Sequence, residues 1–223
     1  MAVQPDPRLA PWLRFHARVA GPAQRIEGRV LLVPASGLSV ISDIDDTVKI
    51  TEVRNQQQVV LLNTFVRAFK AVPGMAERYQ NLARNPQTRF HYLSSSPIQL
   101  LPALAGFLRD AGFPLGSMHL RESTTWRTLI PGSGESRAHK LAAIARLMED
   151  FPLRRFLLIG DSGELDPEIY GEVARTRPER VEGVVIRDVT GEGRDAARYA
   201  RAFAGVASER WHIFRDGGAW PLN

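Results

Sequence analysis

From residue 38 onward, short apolar runs alternate with longer segments whose apolar residues recur every three or four positions. The runs 38–42, 89–93, 155–159 and 181–186 read as buried strands, and 117–121 and 210–214 as shorter ones. Between them, 55–70 places Val59, Leu62, Val66 and Phe69 at helical spacing, and Pro73-Gly74 opens a helix with Met75, Tyr79 and Leu82 on one face. Pro97 sits at a first helical position after Ser96, a good N-cap, and that helix runs to about Asp110 and ends at Gly112. Residues 135–150 predict a helix with Leu141, Ile144, Leu147 and Met148 inward; 166–176 and 194–206 predict two more. Such alternation predicts an α/β fold, a mostly parallel, doubly wound sheet with helices on both faces. Ahead of it, 15–19 and 25–33 read as extended and close at the turn cluster Pro34-Ala35-Ser36-Gly37. The expected organisation is a short N-terminal β extension or hairpin over 1–36 and one larger domain over 37–223.

Composition narrows the classes. With 223 residues, 44% hydrophobic and 24% charged, the chain is an ordinary globular mixture large enough for one sizeable core. No apolar run approaches the roughly 18 residues of a spanning helix. The start, Met-Ala-Val-Gln-Pro-Asp-Pro, lacks the basic and apolar regions of a secretory signal. Cysteine is absent, so thiolate metal sites and cysteine nucleophiles are excluded. A cytoplasmic location is the expectation. The net charge of +5 suits an anionic partner such as a phosphate ester or an anionic lipid surface. Without a run of five basic residues, no nucleic-acid partner is expected, and membrane contact should be at most peripheral. Nothing in the sequence sets the oligomeric state.

In doubly wound sheets, chemistry gathers beyond the carboxyl ends of the strands. The first sheet strand runs into Ser42-Asp43-Ile44-Asp45-Asp46-Thr47, three carboxylates within four residues. Charges this close repel unless a cation or solvent screens them, and Mg²⁺ prefers such hard oxygen ligands. The plainer alternative is an acidic helix cap favoured by the helix dipole. The strand at 156–159 ends in Gly160-Asp161-Ser162-Gly163-Glu164-Leu165-Asp166. There Asp161 is a candidate metal ligand, while Asp166 before Pro167 also reads as an N-cap. Ser94-Ser95-Ser96-Pro97 brings hydroxyls to a strand end, where phosphate oxygens are readily held. Lys140, on the helix before the Asp161 strand, is either a charge-neutralising lysine over the sheet or an ordinary solvated one.

The ordered set, Asp-x-Asp-x-Thr, a strand-end Ser, a Lys, then Gly-Asp-x-x-x-x-Asp, resembles the haloacid dehalogenase (HAD) superfamily of phosphohydrolases. Longer stretches resemble one branch of it, the actin-patch-associated phosphatidate phosphatase family. These are residues 42–49, Val72-Pro73-Gly74-Met75, His91-Tyr92-Leu93-Ser94-Ser95-Ser96-Pro97 and residues 160–170. The resemblance spans roughly 37–189. It implies a HAD-like Rossmannoid sheet with small cap insertions and a Mg²⁺-dependent phosphatase acting through an aspartyl-phosphate. By that resemblance Asp43 is the nucleophile, Asp45 the general acid/base, and Lys140 the charge stabiliser. Thr47 supports the loop and Ser94, or its neighbour Ser95, contacts the transferring phosphate. Asp43, the Asp45 carbonyl, Asp161 and Asp166 surround the metal. The implied substrate is a phosphate ester, with a lipid phosphate such as phosphatidate among the candidates.

Other readings carry less. There is no Gly-x-x-x-x-Gly-Lys-Ser/Thr loop and no Gly-x-Ser-x-Gly elbow. A receiver-like phosphoacceptor would also present Asp, Ser/Thr and Lys at strand ends, but has no use for Asp45. A non-catalytic anionic-lipid or phosphate-binding module, and a phosphatase for soluble sugar or nucleotide phosphates, are the remaining alternatives. His91 and His119 read as packing or surface residues. The segment 122–134, with Trp126 beside Arg127, reads either as a substrate-facing insert or as a surface loop with one packed Trp, and the helical elements between Thr47 and Ser94 are a second candidate cover for the site.

Overall fold

The computed structural model describes residues 12–18, 25–50, 69–122, 133–216 and 220. The chain divides into two compact units, Met1–Ala35 and Ser36–Asn223. In the first, β1 (Trp12–Arg18) and β2 (Arg25–Leu31) form an antiparallel ribbon with Phe15 opposite Gly28. A Cβ at position 28 would overlap the Phe15 ring, so glycine is what lets the ring lie across the ribbon.

The second unit is built on a six-stranded sheet. Its strands are β3 (Ser36–Asp43), β6 (Arg89–Pro97), β7 (Gly116–Arg121), β8 (Leu153–Asp161), β9 (Val181–Arg187) and β10 (Trp211–Phe214). The order is β10-β9-β8-β3-β6-β7, and every neighbouring pair is parallel. The chain winds outward from β3 through β6 and β7, then crosses back to β8, β9 and β10. The switch point therefore lies between β3 and β8, where such sheets open a crevice beyond the strand ends. The short β4 (Lys49–Ile50) and β5 (Lys70–Ala71) pair antiparallel.

Alternate residues of the apolar runs feed opposite faces. Val40, Leu157, Ile159 and Val185 join a core with Tyr79, Leu104 and Phe107, from α1 (Met75–Ala83) and α2 (Leu101–Asp110). Ile41, Phe156, Leu158, Val184 and Ile186 pack on the other face, where Ile144 and Leu147, Ile169 and Val173, and Tyr199 are contributed by α3 (Ser133–Asp150), α4 (Asp166–Thr176) and α5 (Ala197–Ala202). Both faces are thus covered, which is why the strands read as near-continuous hydrophobic runs. At the amino end of the sheet, the fully buried Arg154 donates to the carbonyls of Ser36, Leu38 and Gln87 and to Ser39 Oγ, tying three strand starts together.

The structure corrects several local expectations. Pro97 closes β6 instead of opening a helix; a 3₁₀ turn at Ile98–Leu100 follows, and Pro102 occupies the first turn of α2. Ser96 is accordingly no cap. The helix expected over 194–206 shrinks to α5, because Gly193 and Gly205, both at positive φ, turn the chain on either side. Lys70 lies in β5, while the rest of the helix expected over 55–70 falls almost wholly outside the described residues, as do Trp126 and Arg127. Asp166 is the first residue of α4 and makes no capping hydrogen bond; the N-cap position is Leu165.

Candidate active site

The carboxyl ends of β3 and β8 bring the two acidic stretches together at the switch point. Asp43 is the last residue of β3 and Asp161 the last of β8. Gly160 precedes Asp161 because a Cβ there would overlap Asp166 Oδ2. From the third turn of α3, Lys140 extends its fully buried side chain into the same space. Its Nζ donates to Asp43 Oδ1 at 2.7 Å and Asp166 Oδ1 at 2.5 Å, and lies 3.3 Å from Glu164 Oε2. The reading of Lys140 as a solvated helix lysine is therefore overturned.

Asp43, Asp161 and Asp166 each present an oxygen within 4.8 Å of the others. Asp43 Oδ2 is buried and has no hydrogen-bond partner. Asp161 Oδ1 accepts from the Gly163 N–H at 2.6 Å, and Thr47 Oγ1 faces Asp161 Oδ2 at 3.5 Å, the outer limit of such a bond. Thr47 thus bridges the two acidic loops. Fully ionised, the three carboxylates against one ammonium would carry two excess negative charges, and all offered donors are hard oxygens. This donor set fits Mg²⁺.

Asp45 stands apart from that trio. Ser94 and Ser96 donate to its Oδ2 at 3.1 and 3.3 Å, and Lys49 Nζ meets its Oδ1 at 2.6 Å. Ser94, buried, faces Asp45, whereas Ser95 is turned toward Ser136 of α3 with its Oγ at 2.5 Å.

The environments push the carboxyls apart. Burial drives Asp43 well above the ordinary carboxylate range; Lys140 pulls it back only in part, and Asp166, Asp161 and Glu164 add to the rise. Burial and the Asp166 charge carry Asp161 up to about 8. Asp45 goes the other way: burial would raise it, but Lys49, Ser94 and Lys140 outweigh burial and hold it below its ordinary value. Burial works against the Lys140 ammonium, yet Asp166, Asp43 and Glu164 leave it more firmly protonated than a free lysine. Neighbouring carboxyls whose environments push their protonation apart can serve one as acid and one as base.

Residues 38–188 match the family described as phosphatidate phosphatase APP1, catalytic domain. The chain belongs to that family. A phosphatidate phosphatase APP1 of Saccharomyces cerevisiae is 34% identical over 154 residues, covering 68% of this chain and 26% of the yeast protein. An uncharacterized protein of Schizosaccharomyces pombe is 34% identical over 165 residues, covering 72% of this chain and 26% of its own length. The chain thus spans about a quarter of each of these relatives. Among solved structures, a candidate haloacid dehalogenase-like hydrolase of Burkholderia xenovorans superposes with a TM-score of 0.49 at 13% identity, covering 82% of this chain and 94% of that one. A candidate β-phosphoglucomutase of Thermotoga maritima gives 0.44 at 10% identity, covering 80% and 94%. With superpositions this loose, the fold rests on the strand order itself and on the family match.

Within this APP1-family domain, the structure brings Asp43, Asp161, Asp166 and Lys140 into one cluster and Asp45 and Ser94 into a second beside it. Sequence reasoning gave no site role to Lys49 or Glu164 and read Ser96 only as a cap. Lys49 stands four residues after Asp45, but that spacing signals an ion pair only on a helix. Here a turn makes the pair, closed by Val48 and Lys49 N–H groups on the Ile44 carbonyl at 3.0 and 2.9 Å.

Proposed function

We propose that this domain is a Mg²⁺-dependent phosphomonoester hydrolase that works through an aspartyl-phosphate on Asp43, with a lipid phosphate of the phosphatidate type as substrate. The divided carboxylate of Asp43 carries the reading: one oxygen is held by Lys140 at 2.7 Å, and the other is buried with no partner. A buried acceptor is rarely left so in a merely structural role. Asp43, Asp161 and Asp166 would hold the cation, which when bound supplies charge neutralisation at the phosphoryl group.

The remaining steps fall to the chain's own residues. Lys140 offsets part of the cost of ionising Asp43 in its buried place, and a bound cation would offset more. Asp43 forms a bond to phosphorus as the bond from phosphorus to the ester oxygen breaks. Asp45, protonated for the first step against the pull of Lys49, gives that proton to the leaving oxygen, then takes one from the water that attacks the phosphorus. That second displacement releases inorganic phosphate and restores Asp43. The hold of Lys49 on Asp45 favours the carboxylate, the form needed as base in the second step. Ser94, within 3.1 Å of Asp45, would steady the transferring phosphoryl oxygens.

Three facts support the lipid assignment: the activity for which the yeast relative is named, the family match, and the net charge of +5. Among the described residues, no helix is long and apolar enough to cross a membrane, so contact with lipid would be peripheral. The test is phosphate release from phosphatidate and lysophosphatidate in mixed micelles, compared with glucose 6-phosphate and a nucleoside monophosphate. Release from the lipid substrates that stops with chelator and returns with Mg²⁺ is expected. Release from the soluble esters alone would move the substrate class, and binding without release would overturn the catalytic reading.

A further inference from the structure

Arg187 reaches both acidic loops although it belongs to neither. It ends β9 directly opposite Asp161 in register, and its carbonyl accepts the Ser162 N–H at 3.0 Å. Its buried side chain extends past the end of β8 to the loop after β3, where Nη1 donates to the Asp46 carbonyl at 2.5 Å. The other edge of the guanidinium is clamped by Asp216, with Nε and Nη2 at 2.7 and 2.5 Å from its two oxygens.

The acceptor is a particular one. Asp46, with φ of 52°, is the single non-glycine residue at positive φ among the described residues. A non-glycine residue in the left-handed region is strained and persists where its surroundings hold it. The Asp46 N–H is fixed on the Lys49 carbonyl at 2.7 Å, and its carbonyl is fixed by Arg187. Asp45 and Thr47 flank this peptide, so any relaxation at Asp46 swings both. A planar guanidinium can hold a carbonyl and a carboxylate at once; an ammonium offers no such fork.

We propose that Arg187 is a positioning residue that locks the Asp43–Lys49 loop to the Asp161 loop, with Asp216 aiming its guanidinium. The kinetic part of this inference rests on the phosphatase reading above; the structural part does not. Arg187→Ala, Arg187→Lys and Asp216→Ala in the full chain test it by two readouts. In hydrogen–deuterium exchange, peptides covering residues 43–49 should exchange at least several-fold faster in Arg187→Ala, while peptides from α2 stay as in the wild type. With p-nitrophenyl phosphate and Mg²⁺, kcat should fall by about 10²-fold with KM little changed, since small misplacements at a reacting centre cost about that much. Added guanidinium ion should restore part of the lost kcat in Arg187→Ala and none in the wild type, a rescue that a general loss of structure would not show. Arg187→Lys should fall between. Should Arg187→Ala fail to fold, Asp216→Ala, which alters only a half-exposed partner, must show the same rise in exchange over 43–49. Unchanged exchange over 43–49, or unchanged kcat in an active protein, overturns the proposal. A wild type that releases no phosphate but shows the exchange response would overturn the phosphatase reading and leave the lock standing.

Discussion

Lys140 Nζ sits 2.7 Å from Asp43 Oδ1, and both side chains are almost wholly buried at the switch point of the sheet. The same ammonium holds Asp166 at 2.5 Å, so one lysine serves two carboxylates while Asp161 has no cation within salt-bridge reach among the described residues. That imbalance shapes how the site should answer to substitution, metal and pH.

The nucleophile and the acid–base residue should separate by trapping. Asp43→Asn should show no turnover and no phosphoenzyme. Asp45→Asn should slow turnover by about 10²–10⁴-fold, the usual worth of acid–base assistance, and accumulate an added phosphate on the intact protein with a good leaving group. Intact-protein mass spectrometry reads both. Phosphate trapped on Asp43→Asn would reassign the nucleophile.

Asp161 should trade stability against metal binding. Burial and Asp166 carry its carboxyl up to about 8, so near pH 7 folding must protonate a group that the unfolded chain ionises; Asp161→Asn removes that cost and should raise the melting temperature in chelator. Mg²⁺ should stabilise the wild type in proportion to the logarithm of its concentration and leave Asp161→Asn nearly unmoved. Thermal melts with and without Mg²⁺ check both halves. An Asp161→Asn protein that gains as much from Mg²⁺ as the wild type would remove Asp161 from the metal site.

Lys49 should set the pH range of Asp45. Although burial raises the Asp45 carboxyl, Lys49 and Ser94 hold it below its ordinary value. Lys49→Met should therefore move the limb of the kcat/KM profile that reports Asp45 to higher pH. A profile that does not shift would show that Asp45 does not control that limb.

His91 should make the fold acid-sensitive. It is buried between Ser39 Oγ at 3.1 Å and Ser117 Oγ at 2.7 Å, and burial, with the His119 and Arg154 charges, pushes it down to about 3. The folded chain keeps the ring neutral, while the unfolded chain protonates it below about 6.5. The stability it confers is whole above that pH and falls by up to about 1.4 kcal/mol per unit as pH drops toward 3. In urea melts between pH 7 and 4, His91→Asn should flatten this slope. An unchanged slope would place the acid sensitivity elsewhere.

Much of this protein follows from its sequence alone. Runs such as Phe156-Leu157-Leu158-Ile159 are apolar on both faces, as strands of a parallel sheet covered on both sides are. The acidic stretches directly after two such runs located the crevice, because strand direction in a doubly wound sheet carries both to one edge. Helix phase placed Ile144, Leu147 and Met148 inward without any knowledge of neighbours. What the sequence could not decide was where polar side chains turn once strands are adjacent. Ser96 and Asp166 both read as caps, yet they bond to Asp45 and Lys140, partners 51 and 26 residues away. Ser94 and Ser95 are alike in sequence and face opposite elements, because β6 alternates its sides. The pairing of Lys49 with Asp45 depends on one tight turn, and the reach of Arg187 to Asp46 spans 141 residues. Those choices are made by sheet register and the need to satisfy each buried polar group, and both exist only once the tertiary structure has formed.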